Sequence, residues 1–140
     1  MTDSISLIAS ILAGPVLPLP LAPSRIPCGF PSAAEDWLED QLDLNERLVK
    51  SPPSTFLFRV EGDSMIGAGI NDGDLLVVDR GVRPAHGKIV VATISGDMTV
   101  KRLDLKSMPP RLLASNISYP PIVDDFEVWG VVTASITEFK

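Results

Sequence analysis

The sequence predicts a small, mainly antiparallel β domain with an extended N-terminal arm and one short helix. Short apolar stretches separated by Gly- and Asp-containing turns fill the chain from residue 54 onward, and six of the 13 prolines fall within the first 31 residues. Short strands joined by tight turns are typical of antiparallel sheets. Because proline fixes φ and removes a backbone donor, the first segment is expected to be extended rather than helical.

The segment that follows the proline-rich arm is predicted to be helical. Ser32 and Glu35 form a capping box ahead of an apolar stripe, which indicates a short amphipathic helix over residues 33–42. Residues 45–53 are then expected to be a connector that leads into the β domain.

The strands are predicted from runs of β-branched and aromatic residues bounded by turn residues. The turn Asn71-Asp72-Gly73 leads into the second strand, and Gly96-Asp97 joins the third and fourth strands in a hairpin. The predicted strands cover residues 55–60, 74–79, 88–95, 98–103, 111–115 and 126–137.

Composition excludes several classes of protein. A chain of 140 residues that is 45% hydrophobic suits one compact domain plus an arm. Its net charge of −6 argues against direct DNA binding, which needs clustered Lys and Arg. A single cysteine forms no internal disulfide, so a reducing, cytoplasmic setting is expected. The apolar stretch 5–22 has no basic residue before it and is broken by prolines, so neither a signal peptide nor a membrane span is expected.

Ser64 and Lys101 are the candidate catalytic pair. Ser64 follows an apolar strand in a Gly-containing turn, and Lys101 lies inside a second apolar strand 37 residues later. A turn exposes a hydroxyl, and a strand carries an amine into a dry site where desolvation disfavours its charged form. A neutral amine beside the hydroxyl then acts as general base, with the backbone N–H groups of Asp63 and Ser64 as expected oxyanion donors.

Each member of this pair also has an ordinary structural interpretation. A turn serine often hydrogen-bonds its own backbone. A lysine on an edge strand often extends its amine into water along apolar surface. On the predicted strand, Thr99 and Leu103 share a face with Lys101, while Val100 and Arg102 point the other way.

Cys28 and Gly29 form the third element. Cys28 could be a catalytic thiol or a metal ligand, but one cysteine and one histidine, His86, make neither a zinc site nor the usual Cys/His/Asn arrangement. No metal or cofactor is therefore expected. The alternative is that Cys28-Gly29 is a peptide bond to be cut, since glycine lets a backbone enter a narrow cleft.

Together these elements resemble the self-cleaving LexA/UmuD family. The matching stretches are Cys28-Gly29-Phe30-Pro31-Ser32-Ala33-Ala34-Glu35-Asp36, Gly62-Asp63-Ser64-Met65, Gly69-Ile70-Asn71-Asp72-Gly73-Asp74 and Val100-Lys101-Arg102. The resemblance implies a curled β fold and self-cleavage at Cys28-Gly29, with Ser64 as nucleophile and Lys101 as general base. It also implies a homodimer, stimulation by the RecA nucleoprotein filament, and a cleaved product that joins a Y-family polymerase subunit of the UmuC type in SOS mutagenesis.

The resemblance divides the chain into three parts. Residues 1–28 are expected to be removed by cleavage, residues 29–53 to hold the rest of the arm, the helix and the connector, and residues 54–140 to form the catalytic β domain. No helix-turn-helix pattern precedes residue 28, so the repressor branch is disfavoured. The alternatives are a non-catalytic module with the peptidase fold, and a peptidase acting in trans, as signal peptidases do.

Overall fold

The computed structural model describes residues 4–10, 18–21 and 40–139. The chain divides into two compact units, one formed by Met1–Leu12 with Ser51–Lys140 and the other by Ala13–Lys50. The elements are β1 Ser4–Ser10, β2 Pro18–Leu21, β3 Asp40–Asp43, α1 Leu44–Leu48, β4 Thr55–Glu61, β5 Leu75–Asp79, β6 Ile89–Ile94, β7 Asp97–Asp104, β8 Arg111–Leu113 and β9 Glu127–Ile136.

The smaller unit contains a two-stranded antiparallel pair followed by a short helix. Strand β2 pairs with β3, so that Pro18 lies opposite Asp43 and Leu21 opposite Asp40. The extended backbone of β2 agrees with the expectation for the proline-rich segment. Helix α1 then begins directly after β3.

The helix predicted over residues 33–42 is wrong at its C-terminal end, because residues 40–42 belong to β3. Asp43 has an extended backbone, with φ −90° and ψ 114°, and its side chain accepts a hydrogen bond from the Asn45 N–H. It is therefore the N-cap of α1, and a helix that starts after it cannot include the residues before it. Residues 33–39 lie outside the described part of the chain. Helix α1 also replaces part of the connector predicted over 45–53.

The larger unit is built on one seven-stranded sheet, in the order β1-β4-β5-β9-β6-β7-β8. Every neighbouring pair in it is antiparallel. The fold class predicted from the sequence is thus confirmed, and each of the six predicted strands is present with its bounds shifted by three residues or fewer. The sequence did not predict β1, which pairs with β4 from Ser4 opposite Glu61 to Ser10 opposite Phe56.

Alternation along β6 places a buried cluster on each face of the sheet. Val91 belongs to a cluster that includes Phe58, Leu76 and Val100, and Trp129 packs against that cluster edge-on to Phe58. Val90 and Ala92 point the other way, into a cluster with Leu103, Leu112 and Val131. Successive side chains of a strand alternate between faces, so β6 and its neighbour β7 are buried on both sides.

The β6–β7 hairpin carries the lysine strand. Its turn consists of Ser95 and Gly96, which both have positive φ, rather than of the predicted Gly96 and Asp97, because Asp97 already pairs with Ile94. Positive φ at both central positions is the geometry whose twist matches that of paired strands. The hairpin fixes the register in which Lys101 lies opposite Val90.

No helix within the described ranges is long and apolar enough to cross a membrane.

Candidate active site

Ser64 lies in the turn that follows β4. Gly62 has φ +107°, a conformation that L side chains rarely adopt, and its N–H donates to Asp72 Oδ1 at 2.9 Å. This bend directs the chain into Asp63 and Ser64 and on to a 3₁₀ turn over Ile66–Ala68. Only 1% of the surface of Ser64 is exposed, so the expectation that the turn exposes its hydroxyl is wrong, and the hydroxyl lies within the protein.

Lys101 lies on β7, and its amine meets that hydroxyl. Its Nζ is 2.9 Å from Ser64 Oγ, although 37 residues separate the two in the chain. Lys101 is 3% exposed, and its cross-strand partner Val90 and its face-mate Leu103 are buried beside it. The sequence prediction that these two residues form a pair is consistent with this geometry, and the interpretation of Lys101 as a solvent-reaching edge residue is not.

The Lys101 amine also donates hydrogen bonds to two other oxygen atoms. Nζ also donates to Thr99 Oγ1 at 2.8 Å and to the Val100 carbonyl at 3.1 Å. An ammonium group has three N–H donors, and these three acceptors match them. If Lys101 loses one proton, its two remaining N–H groups still match Thr99 and Val100. Ser64 Oγ lies 2.9 Å from the same nitrogen, which is within the reach that a general base requires.

A cavity opens next to the pair. It has a volume of about 350 Å³, and its lining includes Lys101 and Thr99 together with apolar and aromatic side chains. The full lining is Ile94, Asp97, Met98, Thr99, Lys101, Tyr119, Pro120 and Ile122. A space of this size suits a few residues of an extended peptide better than a whole folded partner.

Residues from a distant segment hold the turn that carries Ser64. Tyr119 Oη donates to Asp63 Oδ1 at 2.8 Å, and Asn116 Nδ2 donates to the Asp63 carbonyl at 3.0 Å. The Ser115 N–H donates to the Ser64 carbonyl at 2.8 Å. Sequence analysis did not single out any of these three residues, because each lies more than 50 positions from its partner.

The remaining sequence-predicted site residues stand as follows. Cys28 and Gly29 lie outside the described residues, so their part as the cleavage site stays a prediction. The assignment of the Asp63 and Ser64 N–H groups as oxyanion donors also stays a prediction. His86 is partly exposed, as expected of a turn residue. Its Nδ1 accepts a hydrogen bond from the Leu105 N–H at 3.1 Å.

The end of β7 is fixed by a buried carboxylate. Asp104 accepts hydrogen bonds from Arg111 Nε at 2.8 Å and from Ser107 Oγ at 2.7 Å. The Arg111 guanidinium first, and the Ser107 hydroxyl second, hold the pKa of Asp104 well below its ordinary value. This contact closes the loop between β7 and β8 three residues after Lys101.

Comparison with known proteins identifies the family of the chain. The family model described as "Peptidase S24-like" matches residues 20–133, a range that includes Ser64 and Lys101. The chain is 47% identical to Protein SamA of Salmonella typhimurium over 84% of each chain. It is 43% identical to Protein MucA of Escherichia coli over 86% of this chain and 85% of that protein. It is also 40% identical to the LexA repressor of Ralstonia nicotianae, over 86% of this chain and 57% of that protein.

The family match covers most of the chain, and all three of these relatives align over more than four fifths of its length. Both findings confirm the family resemblance that the sequence predicted. The chain therefore belongs to the Peptidase S24-like family, and its likeness is to the LexA/UmuD proteins.

Proposed function

We propose that this protein is a serine endopeptidase that cuts its own chain between Cys28 and Gly29 with a Ser64/Lys101 dyad. The observation that carries the proposal is the 2.9 Å contact between two buried side chains, Lys101 Nζ and Ser64 Oγ. A buried serine in a structural turn has no need of a buried lysine. A buried lysine costs free energy that a purely structural site would avoid.

The first half of the reaction forms an acyl-enzyme. Neutral Lys101 removes the proton from Ser64 Oγ, and Oγ attacks the carbonyl carbon of Cys28. The resulting oxyanion is stabilised by backbone N–H groups near Ser64. When the C–N bond breaks, Lys101 returns the proton to the Gly29 amine. Residues 1–28 remain attached to Ser64 as an ester.

The second half releases the arm. A water molecule gives a proton to Lys101 and attacks the ester carbonyl carbon. The C–O bond to Ser64 then breaks, and Oγ recovers its proton from Lys101. The products are a chain that begins at Gly29 and a peptide that ends at Cys28.

The biological role follows from the family likeness. In this proposal the shortened product is the accessory subunit of an error-prone translesion polymerase in SOS mutagenesis. It acts in the cytoplasm as a homodimer that binds a Y-family polymerase subunit of the UmuC type. The RecA nucleoprotein filament stimulates the cleavage. The likeness to a LexA repressor supports a place in the same response, and the net charge of −6 favours protein partners over direct DNA binding.

The experiment incubates the purified full chain at mildly alkaline pH and follows it by gel electrophoresis beside the Ser64→Ala variant. The proposal expects a chain shortened by about 28 residues from the wild type and none from the variant. A non-catalytic module would leave both chains intact. A peptidase that acts only on other proteins would also leave its own chain intact, yet its Ser64 would react with a fluorophosphonate probe.

A further inference from the structure

The segment 115–119, which we call the clamp segment, is bonded to the serine turn at several points. The Ser115 N–H donates to the Ser64 carbonyl, and the Gly67 N–H donates to the Ser115 carbonyl, each at 2.8 Å. A methyl group added at Gly67 would lie 2.6 Å from Ser115 O, so the two backbones touch. The backbone of the clamp segment is therefore in direct contact with the residues on both sides of Met65.

Two side chains of the clamp segment converge on Asp63, the residue directly before Ser64. Asn116 Nδ2 donates to its carbonyl at 3.0 Å, and Tyr119 Oη donates to its carboxylate at 2.8 Å. Asp63 is thus held at both its backbone and its side chain. A bond to a carboxylate is stronger than one between neutral groups, so the Tyr119 contact is the firmer of the two.

Tyr119 has a second contact with the site. Its side chain lines the cavity that Lys101 and Thr99 also line. One residue therefore contributes to the wall beside the amine and, through its hydroxyl, holds the residue next to the nucleophile. Since Lys101 belongs to a strand buried on both faces whereas Ser64 belongs to a loop, the loop is the member whose position needs support.

We propose that Tyr119 and Asn116 are positioning residues that act through Asp63 to hold Ser64 Oγ against Lys101 Nζ. This inference rests on the proposed function of Ser64 and adds the device that aligns it. Misplacing a nucleophile by a fraction of an ångström to 1 Å costs about ten- to a hundredfold in rate. The loss is expected in kcat rather than in KM, because the Tyr119 hydroxyl donates to Asp63, the residue next to the nucleophile.

The first measurement is cleavage in trans between two full-length chains. The enzyme carries Gly29→Lys, which blocks its own site, and the substrate carries Ser64→Ala. Tyr119→Phe keeps the ring but removes the hydroxyl, so it should lower kcat about tenfold or more and leave KM within twofold. Asn116→Ala should also lower kcat. Ser118→Ala, an exposed change in the same segment, is the matched control and should cleave like the parent.

A double-mutant cycle separates positioning through Asp63 from a general loss of fold. Asp63→Ala and Tyr119→Phe remove the two ends of one hydrogen bond. The double variant should therefore lose no more kcat than the more strongly affected single variant. Asp63→Asn keeps an acceptor oxygen for Tyr119 and should retain most of the activity. Full additivity of the two losses would overturn the inference, because the two groups would then act separately.

The second measurement does not require cleavage. In a Cys28→Ser background, the thiol introduced by Ser64→Cys is alkylated with iodoacetamide across pH. Lys101 stabilises the thiolate only if the two groups are held together, so Tyr119→Phe should move the pH midpoint of alkylation upward.

If the parent does not cleave but the midpoint moves, the proposed function fails and the positioning role stands. If the parent cleaves and Tyr119→Phe changes neither kcat nor the midpoint, the positioning role is wrong and the proposed function stands. A change in KM alone would show a substrate contact and would also overturn it.

Discussion

At the scale of single residues, the protonation state of Lys101 decides what the site does. As an ammonium group it donates to Ser64 Oγ, Thr99 Oγ1 and the Val100 carbonyl, and it cannot accept a proton. As a neutral amine it keeps two of those donors and offers its lone pair to Ser64. In the proposed mechanism, the same geometry is therefore inactive in the ammonium form and active in the neutral form.

Lys101→Ala should abolish self-cleavage, lowering the rate by about three orders of magnitude or more, because nucleophile and base act as one unit. Ser64→Cys should keep partial activity, since a thiolate still attacks a carbonyl. Cleavage is followed by gel electrophoresis. Lys106→Ala, which removes an exposed lysine five residues along the chain, is the control and should cleave normally. Wild-type cleavage by Lys101→Ala would show that another group is the base.

Self-cleavage should accelerate as pH rises from neutral toward 10. A general base must be free of its proton before it can accept one from Ser64 Oγ, and higher pH favours the proton-free form of an amine, so the rate is expected to rise with pH. Single-turnover rates of the purified chain over this range provide the test. A rate that is flat from pH 7 to 10 would remove the reason for naming an amine as the base.

Thr99 should matter because its hydroxyl oxygen orients the amine. Thr99→Val has nearly the same shape but lacks the acceptor, and we expect it to slow cleavage about tenfold, with Thr99→Ser close to wild type. The comparison is made on cleavage rates at one pH, with thermal unfolding to show that both variants fold. Equal rates for the two variants would mean that the hydroxyl has no part in orienting Lys101.

At the scale of elements, the strands were predictable and the contacts between distant segments were not. Runs such as residues 74–79 alternate or bury their apolar residues and are bounded by Gly and Asp, so their type and position follow from local sequence. The helix over 33–42 failed at residues 40–42 because pairing of β3 with β2 fixes an extended backbone there. Local propensity is a weak guide when a distant segment supplies backbone partners.

The residues of the candidate site also divide into those that the sequence predicted and those that depend on contacts with distant segments. Ser64 and Lys101 were recognisable as a pair because their motifs, taken together with Cys28-Gly29, resemble one family, although each residue alone has an ordinary structural interpretation. Tyr119 and Asn116 were missed because their roles depend on contacts across 56 and 53 residues, and an isolated Asn or Tyr in a polar loop gives no local signal. Thr99 was identified only as a face-mate of Lys101, since periodicity gives a side chain's direction but not its hydrogen bonds.

The loop between β7 and β8 should lose stability in acid. The pKa of Asp104 is lowered in the folded state, so its ionised form stabilises the fold fully above the unfolded value, near pH 4, and that contribution disappears as pH falls further. The difference in Tm between wild type and Asp104→Asn should therefore be largest near neutral pH and shrink below about pH 4. Asp97→Asn, an exposed change on the same strand, is the control. A difference that stays constant with pH would contradict this role.

At the scale of the whole molecule, the proposed cleavage requires the bond between residues 28 and 29 to reach Ser64. A partner that favours the docked arrangement accelerates cleavage by changing its population, without supplying a catalytic group.

The central claim is that Ser64 and Lys101 cut the chain between Cys28 and Gly29. It is tested most directly by mixing a Gly29→Lys chain, which keeps the dyad, with a Ser64→Ala chain, which keeps the native cleavage site. The products are then identified by intact-mass spectrometry. The account predicts that the Ser64→Ala chain alone is cut, giving a fragment that begins at Gly29 and a peptide that ends at Cys28. A cut at any other bond would contradict it. The absence of any cut, both at alkaline pH and with the stimulating filament, would also contradict it.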